Sequence, residues 1–122
     1  KTLPKGSSIS YGRSHQLNRD SKIAILTAGY GDGIPLPYSE RGCVIIQDKL
    51  CPILGRITMD QIIVDVTDLK SVQSGERVIL IGRSESCSIS LERFCQDSDS
   101  IPWEVLCSIT KRVQRVYINP RT

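Results

Sequence analysis

Short runs of branched apolar residues, separated by glycine, proline or polar pairs, recur along the chain. Such runs of about four to eight residues between turn-forming residues are typical of β-strands. The pattern predicts strands over residues 22–29, 43–47, 50–54, 61–66, 76–81 and 113–118, with a turn at 48–49. The last run alternates apolar and polar residues, which predicts a half-buried final strand.

Helical signals are confined to two short stretches. Ser90 is a suitable N-cap for a helix over residues 91–96, and Pro102 introduces a second helix over residues 103–109. Glu104 lies in the first turn of that helix, where a carboxylate suits the helix dipole. Because the strands do not alternate with helices, we expect a mainly β domain: an antiparallel, Greek-key-like barrel or sandwich with one or two short peripheral helices. Pro52 should lie on an edge strand or at a bulge, since proline donates no ladder hydrogen bond.

The composition is that of a globular domain, and it narrows the range of partners. The 122 residues are 39% hydrophobic and 24% charged, which suits one domain with its own core. Sixteen Lys and Arg against 13 Asp and Glu leave a formal charge of +3, which does not indicate nucleic acid or a membrane as partner. No apolar run approaches the roughly 20 residues that span a bilayer.

Cysteine and histidine do not predict a metal site. The five cysteines are odd in number and form no Cys-x-x-Cys pair, so neither a disulfide framework nor a zinc site is indicated. We expect small buried thiols in a reducing cytoplasm. The single histidine, His15, argues against a multi-histidine centre. Since Lys1 is preceded by no methionine and begins no signal peptide, we expect a segment of a longer protein.

A tyrosine beside a glycine, in Ser10-Tyr11-Gly12, is a candidate acid–base group. A free phenol has a pKa of about 10, so it needs a neighbouring cation or hydrogen-bond donor to act as a base near neutral pH. No residue adjacent in sequence supplies one. Taken alone, the tripeptide is better interpreted as a half-buried tyrosine near a turn.

A glycine-rich segment, Gly29-Tyr30-Gly31-Asp32-Gly33, follows the first long predicted strand. Its glycines permit a tight turn or a close approach of the backbone to a ligand. It is not a dinucleotide-binding fingerprint, because the third glycine comes too early and no long helix follows. A loop in which the aspartate side chain caps a turn is the simpler interpretation.

A third segment contains Arg56, Met59 and Asp60 and leads into a predicted strand. The aspartate could order a buried network, and a neighbouring backbone N–H could bind a carboxylate. Arg56 could form a charge-assisted bond with a carboxylate. The alternative is a surface Arg–Asp pair worth under about 1 kcal/mol.

In order and spacing, these three segments resemble the C-terminal domain of the alanine racemases, fold-type III pyridoxal-phosphate enzymes. The most specific matches are residues 29–33 and the segment Gly55-Arg56-Ile57-Thr58-Met59-Asp60-Gln61. The similarity continues through residues 64–67, 103–106 and 111–117, so it covers nearly the whole chain. It implies that residues 1–122 form the C-terminal domain and that an N-terminal barrel lies outside this chain.

The resemblance also implies a mechanism with two bases on opposite faces of the substrate. In the family, pyridoxal phosphate is bound to a lysine of an N-terminal (β/α)8 barrel and covered by the C-terminal domain of the second subunit of a homodimer. By that match Tyr11 is the second base, delivered across the dimer interface, and the isolated chain should hold no cofactor and be inactive. The other implied site residues are Met59 and Asp60 at the substrate carboxylate, Tyr30, Asp32, Arg56 and Ile101 in the access channel, and Trp103 near the cofactor phosphate.

Two positions depart from the common family pattern. Leu36 stands where many members have arginine, and Trp103 stands where many have tyrosine. The leading hypothesis is an alanine racemase that makes D-alanine for peptidoglycan; the alternatives are a serine or broad-specificity amino-acid racemase, and a degenerate racemase domain kept for assembly. A non-catalytic β-barrel binding module is a remote alternative, disfavoured because aromatic residues are only 5% of the chain.

Overall fold

The computed structural model describes residues 1–9 and 15–118, and this part of the chain forms antiparallel sheets with two short α-helices. The strands are β1 (Thr2–Leu3), β2 (Ser8–Ile9), β3 (His15–Gln16), β4 (Ser21–Leu26), β5 (Cys43–Ile46), β6 (Lys49–Leu54), β7 (Ile62–Asp65), β8 (Gly82–Arg83) and β9 (Ser88–Ile89). The largest sheet has the order β1-β4-β7-β6-β5, and β2–β3 and β8–β9 form separate two-stranded sheets. The predicted mainly β, antiparallel fold is confirmed, and the described pairings leave the five-stranded sheet open between β1 and β5.

Strands β5 and β6 form a tight hairpin at one edge of this sheet. Gln47 and Asp48 connect them with φ angles of 52° and 59°, the left-handed backbone that matches the twist of paired strands. The turn therefore comes one residue earlier than predicted. Pro52 lies on β6, an interior strand rather than the predicted edge strand. Pairing of β6 with β7 begins only at Ile53, which leaves the proline outside that ladder.

The main apolar core joins β5, β6 and β7 to the helices that follow them. Its buried residues include all four residues of β5 and Phe94, which packs on Tyr38 with ring centroids 4.5 Å apart. The Tyr38 hydroxyl, fully buried, donates to the Cys43 carbonyl at 2.7 Å. A smaller cluster underlies the β2–β3 hairpin and consists of Ile9, Leu17, Ile23 and Leu54.

Both predicted helices are confirmed. Helix α1 (Leu91–Ser98) begins after Ser90, whose Oγ accepts from the Arg93 N–H at 3.0 Å. Helix α2 (Pro102–Ser108) has proline in its first turn together with Glu104. Local capping signals therefore placed both starts to within one residue.

Two predicted strands are wrong. Residues 76–81 make only an isolated bridge, between Ile45 and Ile79, because positive-φ glycines bound the segment at Gly75 and Gly82. Residues 113–118 form no strand, since no described residue pairs with their backbone, and Tyr117 is 89% exposed. An alternating pattern specifies a strand only where a neighbouring strand is available.

The cysteines only partly match the expectation of buried thiols. All five are free; Cys43, Cys51 and Cys95 are buried, whereas Cys87 is half-buried and Cys107 is exposed. Burial raises the pKa of Cys51 to about 11, which keeps that thiol protonated and unreactive at neutral pH.

Candidate functional site

A tight turn between β6 and β7 presents Met59 and Asp60 at the surface. Thr58 closes this turn: its Oγ1 accepts from the Gln61 N–H at 3.1 Å, and its own N–H donates to the Gln61 carbonyl at 3.1 Å. Met59 is consequently 50% exposed, and no described residue accepts a hydrogen bond from its N–H. The turn thus offers a backbone donor to an anionic ligand.

The glycine-rich segment lies directly against this turn. The Tyr30 N–H donates to the Thr58 carbonyl at 3.0 Å, and the Gly31 N–H donates to the Met59 carbonyl at 2.9 Å. A Cβ at Gly29 would meet the Thr58 carbonyl oxygen and lie 2.5 Å from that of Met59. The predicted close approach of glycine backbone therefore exists, and its partner is the chain's own Met59 turn.

Asp32 closes the glycine-rich segment from within. Its Oδ2 accepts from the Gly29 N–H at 2.9 Å, which confirms the predicted side-chain-capped turn. Gly33 follows with a φ of 112°, a left-handed backbone that favours glycine, and a Cβ there would lie 2.6 Å from the Ser108 carbonyl oxygen.

Arg112 joins the two segments through their carboxylates. Its Nε is 3.2 Å from Asp32 Oδ1, and its Nη2 donates to Asp60 Oδ1. The hydrogen bond that it donates to Asp60 raises the pKa of the Arg112 guanidinium above its usual value. A permanently charged guanidinium therefore separates two carboxylates that would otherwise repel each other.

Two residues just before Arg112 donate hydrogen bonds to the glycine-rich segment. Thr110 Oγ1 donates to the Gly31 carbonyl at 2.8 Å and accepts from the Arg112 N–H at 3.3 Å. Ser108 Oγ, at the end of α2, donates to the Gly33 carbonyl at 3.2 Å. Residues 29–33, 58–61 and 108–112 are therefore one hydrogen-bonded unit.

A shallow groove of about 270 Å³ lies beside this unit. Tyr30 and Leu36 line it together with Glu104 and Ser108. Ile101, the residue that precedes α2, is 41% exposed, and Trp103 on the first turn of α2 is 68% exposed. The structure therefore places Tyr30 at this groove and brings Asp32 to Asp60 through Arg112.

The groove does not form a complete site for pyridoxal phosphate. The cofactor requires a lysine for its aldehyde and donors for its phosphate. None of the described residues that line the groove is a lysine. The carboxylate of Glu104, which does line it, would repel a phosphate. The indole N–H of Trp103 can supply one donor at most.

Tyr11 lies outside the described residues, but the strands on either side of it are paired. Residue 8 pairs with residue 16 and residue 9 with residue 15, so β2 and β3 form an antiparallel hairpin. Tyr11 follows the last residue of β2 by two positions in the sequence. His15, on β3, places its Nδ1 2.6 Å from Glu40 Oε1.

Arg56 follows Gly55, whose φ is 70°, in the segment that leads from β6 to the Met59 turn.

In the described part of the chain, no group of His, Cys, Asp and Glu side chains is arranged to hold a metal ion. No described helix is both long and apolar enough to cross a membrane.

Sequence reasoning missed the roles of Arg112 and Thr110. Residue 112 belongs to a segment that matched the family pattern, but nothing local linked it to Asp60, 52 positions away. Two charged groups that far apart in sequence are brought together only by the fold.

The family model described as the alanine racemase C-terminal domain matches residues 1–117. The chain is 43% identical over 119 residues to the alanine racemase of Halothermothrix orenii, a match that covers 98% of this chain and 31% of that protein. It is 44% identical over 119 residues to the alanine racemase of Clostridium novyi, covering 97% of this chain and again 31% of the relative.

The fold is also similar to a solved structure, the alanine racemase of Bartonella henselae with covalently bound pyridoxal phosphate. The TM-score is 0.88 at 39% sequence identity, and the match covers 97% of this chain and 32% of that one. The chain therefore spans less than a third of the length of the curated relatives described above.

Proposed function

Because this chain belongs to the family of alanine racemase C-terminal domains, we propose that its parent protein interconverts L- and D-alanine with pyridoxal phosphate as cofactor and supplies D-alanine for peptidoglycan. One observation carries the proposal: the glycine-rich segment and the Met59 turn form a single unit locked by Arg112. The residues most specific to the family thus lie together at one surface.

The contribution of this chain is placement and proton transfer. Tyr11 carries the proton on one face of the substrate, and a lysine outside the chain serves the other face. When bound, the cofactor withdraws electrons from the carbon that loses its proton. The groups that would activate the phenol, a histidine and an arginine in the family, belong to the N-terminal barrel.

The Met59 turn would receive the substrate carboxylate. Its available backbone N–H is the donor, and Asp60 lies beside it. An uncompensated Asp60 would repel that anion, and the Arg112 guanidinium offsets the repulsion. Arg112 therefore makes the turn electrostatically suitable for a carboxylate.

The access channel would be formed by residues on both sides of the locked unit. We assign it to Tyr30, Asp32, Arg56 and Ile101. Trp103 would lie near the cofactor phosphate, with the remaining phosphate contacts made by the barrel. Leu36, 47% exposed at the groove, gives the channel an apolar wall where many relatives have a cation.

The partners in this proposal are the protein's own barrel and a second subunit of a homodimer. Large exposed apolar side chains support it, because such surface in a soluble protein marks contact sites. They include Trp103 at 68%, Leu106 at 55% and Val116 at 72% exposed. The proposal also includes a cytoplasmic location, which the five free cysteines support.

A mixed-dimer experiment tests the proposal. Subunits of the parent with Tyr11→Phe are combined with subunits that lack the barrel's cofactor lysine, and alanine racemisation is followed by chiral chromatography. If Tyr11 acts across a two-fold interface, each mixed dimer regains one intact site, and random mixing restores about a quarter of wild-type activity. Mixtures as inactive as either parent variant would contradict transfer across the interface.

Two further measurements complete the test. The purified 122-residue chain, given pyridoxal phosphate and L-alanine, should form no D-alanine, because the lysine and the phosphate site lie elsewhere. The full-length protein loaded with the cofactor should racemise alanine faster than serine. Faster turnover of serine would replace alanine as the substrate while leaving the two-base arrangement intact.

A further inference from the structure

A side-chain hydrogen bond joins the hairpin next to Tyr11 to the body of the domain. His15 Nδ1 lies 2.6 Å from Glu40 Oε1, although the residues are 25 positions apart. The two side chains are 29% and 43% exposed, so both are partly shielded from solvent. His15 is the first described residue after the segment that contains Tyr11.

The hairpin that carries this histidine is also held by buried apolar side chains, one of them Ile9, which pairs with His15. Strands β2 and β3 have two residues each, too few for an isolated hairpin to be stable. Buried Ile9 and Leu17 anchor it in the small apolar cluster, and the Leu17 N–H donates to the Ser7 carbonyl at 2.9 Å. The contact with Glu40 adds a polar tether where the chain continues to Tyr11.

Glu40 is itself fixed in place. It has a φ of 59° and follows Ser39, whose Oγ accepts from the Ile57 N–H at 2.9 Å. Ile57 is 1% exposed and precedes Met59 by two residues. The His15–Glu40 hydrogen bond therefore connects the hairpin next to Tyr11 to the backbone that leads into the Met59 turn.

We propose that His15 and Glu40 are positioning residues, which hold the β2–β3 hairpin next to Tyr11 in place relative to the Met59 turn. The inference rests on the proposed function, since it takes Tyr11 as the second base. The imidazole Nδ1–H of His15 donates to the carboxylate of Glu40. Both residues act through Tyr11, so neither needs to touch the substrate or the cofactor. Misplacing a catalytic group by about 1 Å can cost about 100-fold in rate.

The test uses the full-length protein with its cofactor. His15→Phe keeps a ring and removes the donor, and Glu40→Leu removes the acceptor. Each should lower kcat by about 10- to 100-fold while KM changes less than about twofold. His15→Asn, which keeps an N–H donor close to the Nδ1 position, should recover most of the activity. Asp68→Asn is the matched control, because it breaks the exposed Arg19–Asp68 pair at 3.5 Å, and it should leave kcat unchanged.

An isotope effect separates positioning from general loss of structure. The rate with α-deuterated alanine is compared with that of ordinary alanine in both directions. A displaced Tyr11 makes proton removal slower only on its own face, so the substrate isotope effect of His15→Phe should rise in one direction alone. A lower fraction of folded or loaded protein would leave both isotope effects unchanged.

The outcomes distinguish this inference from the proposed function. Full activity of His15→Phe with an inactive Tyr11→Phe would overturn the positioning role and leave the two-base proposal standing. Full activity of Tyr11→Phe would overturn both. If His15→Phe does not fold, the loss of activity in Glu40→Leu and its recovery in His15→Asn test the positioning role instead. Isotope effects that rise equally in both directions would count against the inference.

Discussion

Arg112 donates a hydrogen bond to the carboxylate of Asp60 from 52 positions along the chain. Through its Nε the same guanidinium pairs with Asp32, at 3.2 Å. The planar fork of arginine allows one side chain to bind two carboxylates, which the single ammonium of lysine does less well. The geometry of the Met59 turn therefore depends on a residue from a distant segment.

Replacing Arg112 should lower the catalytic efficiency of the parent protein more than it lowers the stability of the domain. Arg112→Ala leaves Asp32 and Asp60 facing each other without compensation, so substrate affinity falls and kcat/KM of the parent drops about tenfold or more. Arg112→Lys should lie between the alanine variant and wild type. The melting temperature should change little, because the guanidinium is exposed. Steady-state kinetics and thermal unfolding measure the two effects.

Arg115→Ala is the matched control for that substitution. Arg115 lies on the same segment, and to the described residues it donates only a long hydrogen bond, 3.4 Å to the Ile109 carbonyl. Its removal should leave both kcat and KM near wild type. Equal losses for the two arginine variants would show that the charge of the segment, rather than the Asp60 contact, matters.

Gly29→Ala should destabilise the domain by about 1 to 3 kcal/mol through overpacking. The added Cβ would collide with the carbonyls of Thr58 and Met59, which are backbone atoms that cannot rotate away. Gly75→Ala is the control, because its Cβ would meet nothing within 4 Å and would suffer only from a φ of 93°. Urea unfolding measures both variants; an unchanged free energy of unfolding for Gly29→Ala would mean that the contact with the Met59 turn contributes nothing.

The sequence predicted those parts of the fold that depend on local signals. Ser90 and Pro102 mark helix starts because capping is decided within one turn of chain. The runs that became β5 and β7 are rich in branched residues and are largely buried. Residues 113–118 show an equally clear pattern and form no strand, because strand formation also requires a partner that the pattern does not identify.

In the candidate site, too, the sequence predicted the features that depend on local signals and not those that depend on distant contacts. The glycines at 29, 31 and 33 predicted a close backbone approach, and the structure supplies the partners, the Met59 turn for the first two and Ser108 for the third. The Arg112–Asp60 and His15–Glu40 contacts depend on distant residues meeting. Pairs of this kind are set by the fold, so spacing along the sequence could not predict them.

Alkaline pH should destabilise the domain through Tyr38. Burial raises its pKa in the folded state to about 12, above the ordinary value of 10.0. Between these values the unfolded chain releases the phenolic proton while the folded chain keeps it, so the free energy of unfolding falls as pH rises. Urea titrations between about pH 9 and 11.5 measure this fall.

Tyr38→Phe should reduce the fall in stability above pH 10 and also lower stability by about 1 to 3 kcal/mol at neutral pH, because the Cys43 carbonyl loses its buried donor. Tyr117→Phe, at an 89% exposed position, is the control and should change neither quantity. Cys51, whose pKa is raised to about 11, contributes a similar loss that begins near pH 9 and persists in the Phe variant. An unchanged slope above pH 10 would exclude Tyr38 as its source.

Tyr11→Phe removes one oxygen atom and should abolish most of the racemisation by the parent protein. General acid–base catalysis contributes about 100- to 10,000-fold, so kcat should fall within that range in both directions. Because the two enantiomers have equal free energy, kcat/KM must remain equal for L- and D-alanine in every variant, so isotope effects and proton exchange are needed to reveal which face is impaired. Exchange of the α-proton with solvent should persist for one enantiomer, whose proton is removed by the other base. Exchange that is retained for both enantiomers at the wild-type rate would show that Tyr11 is not the second base.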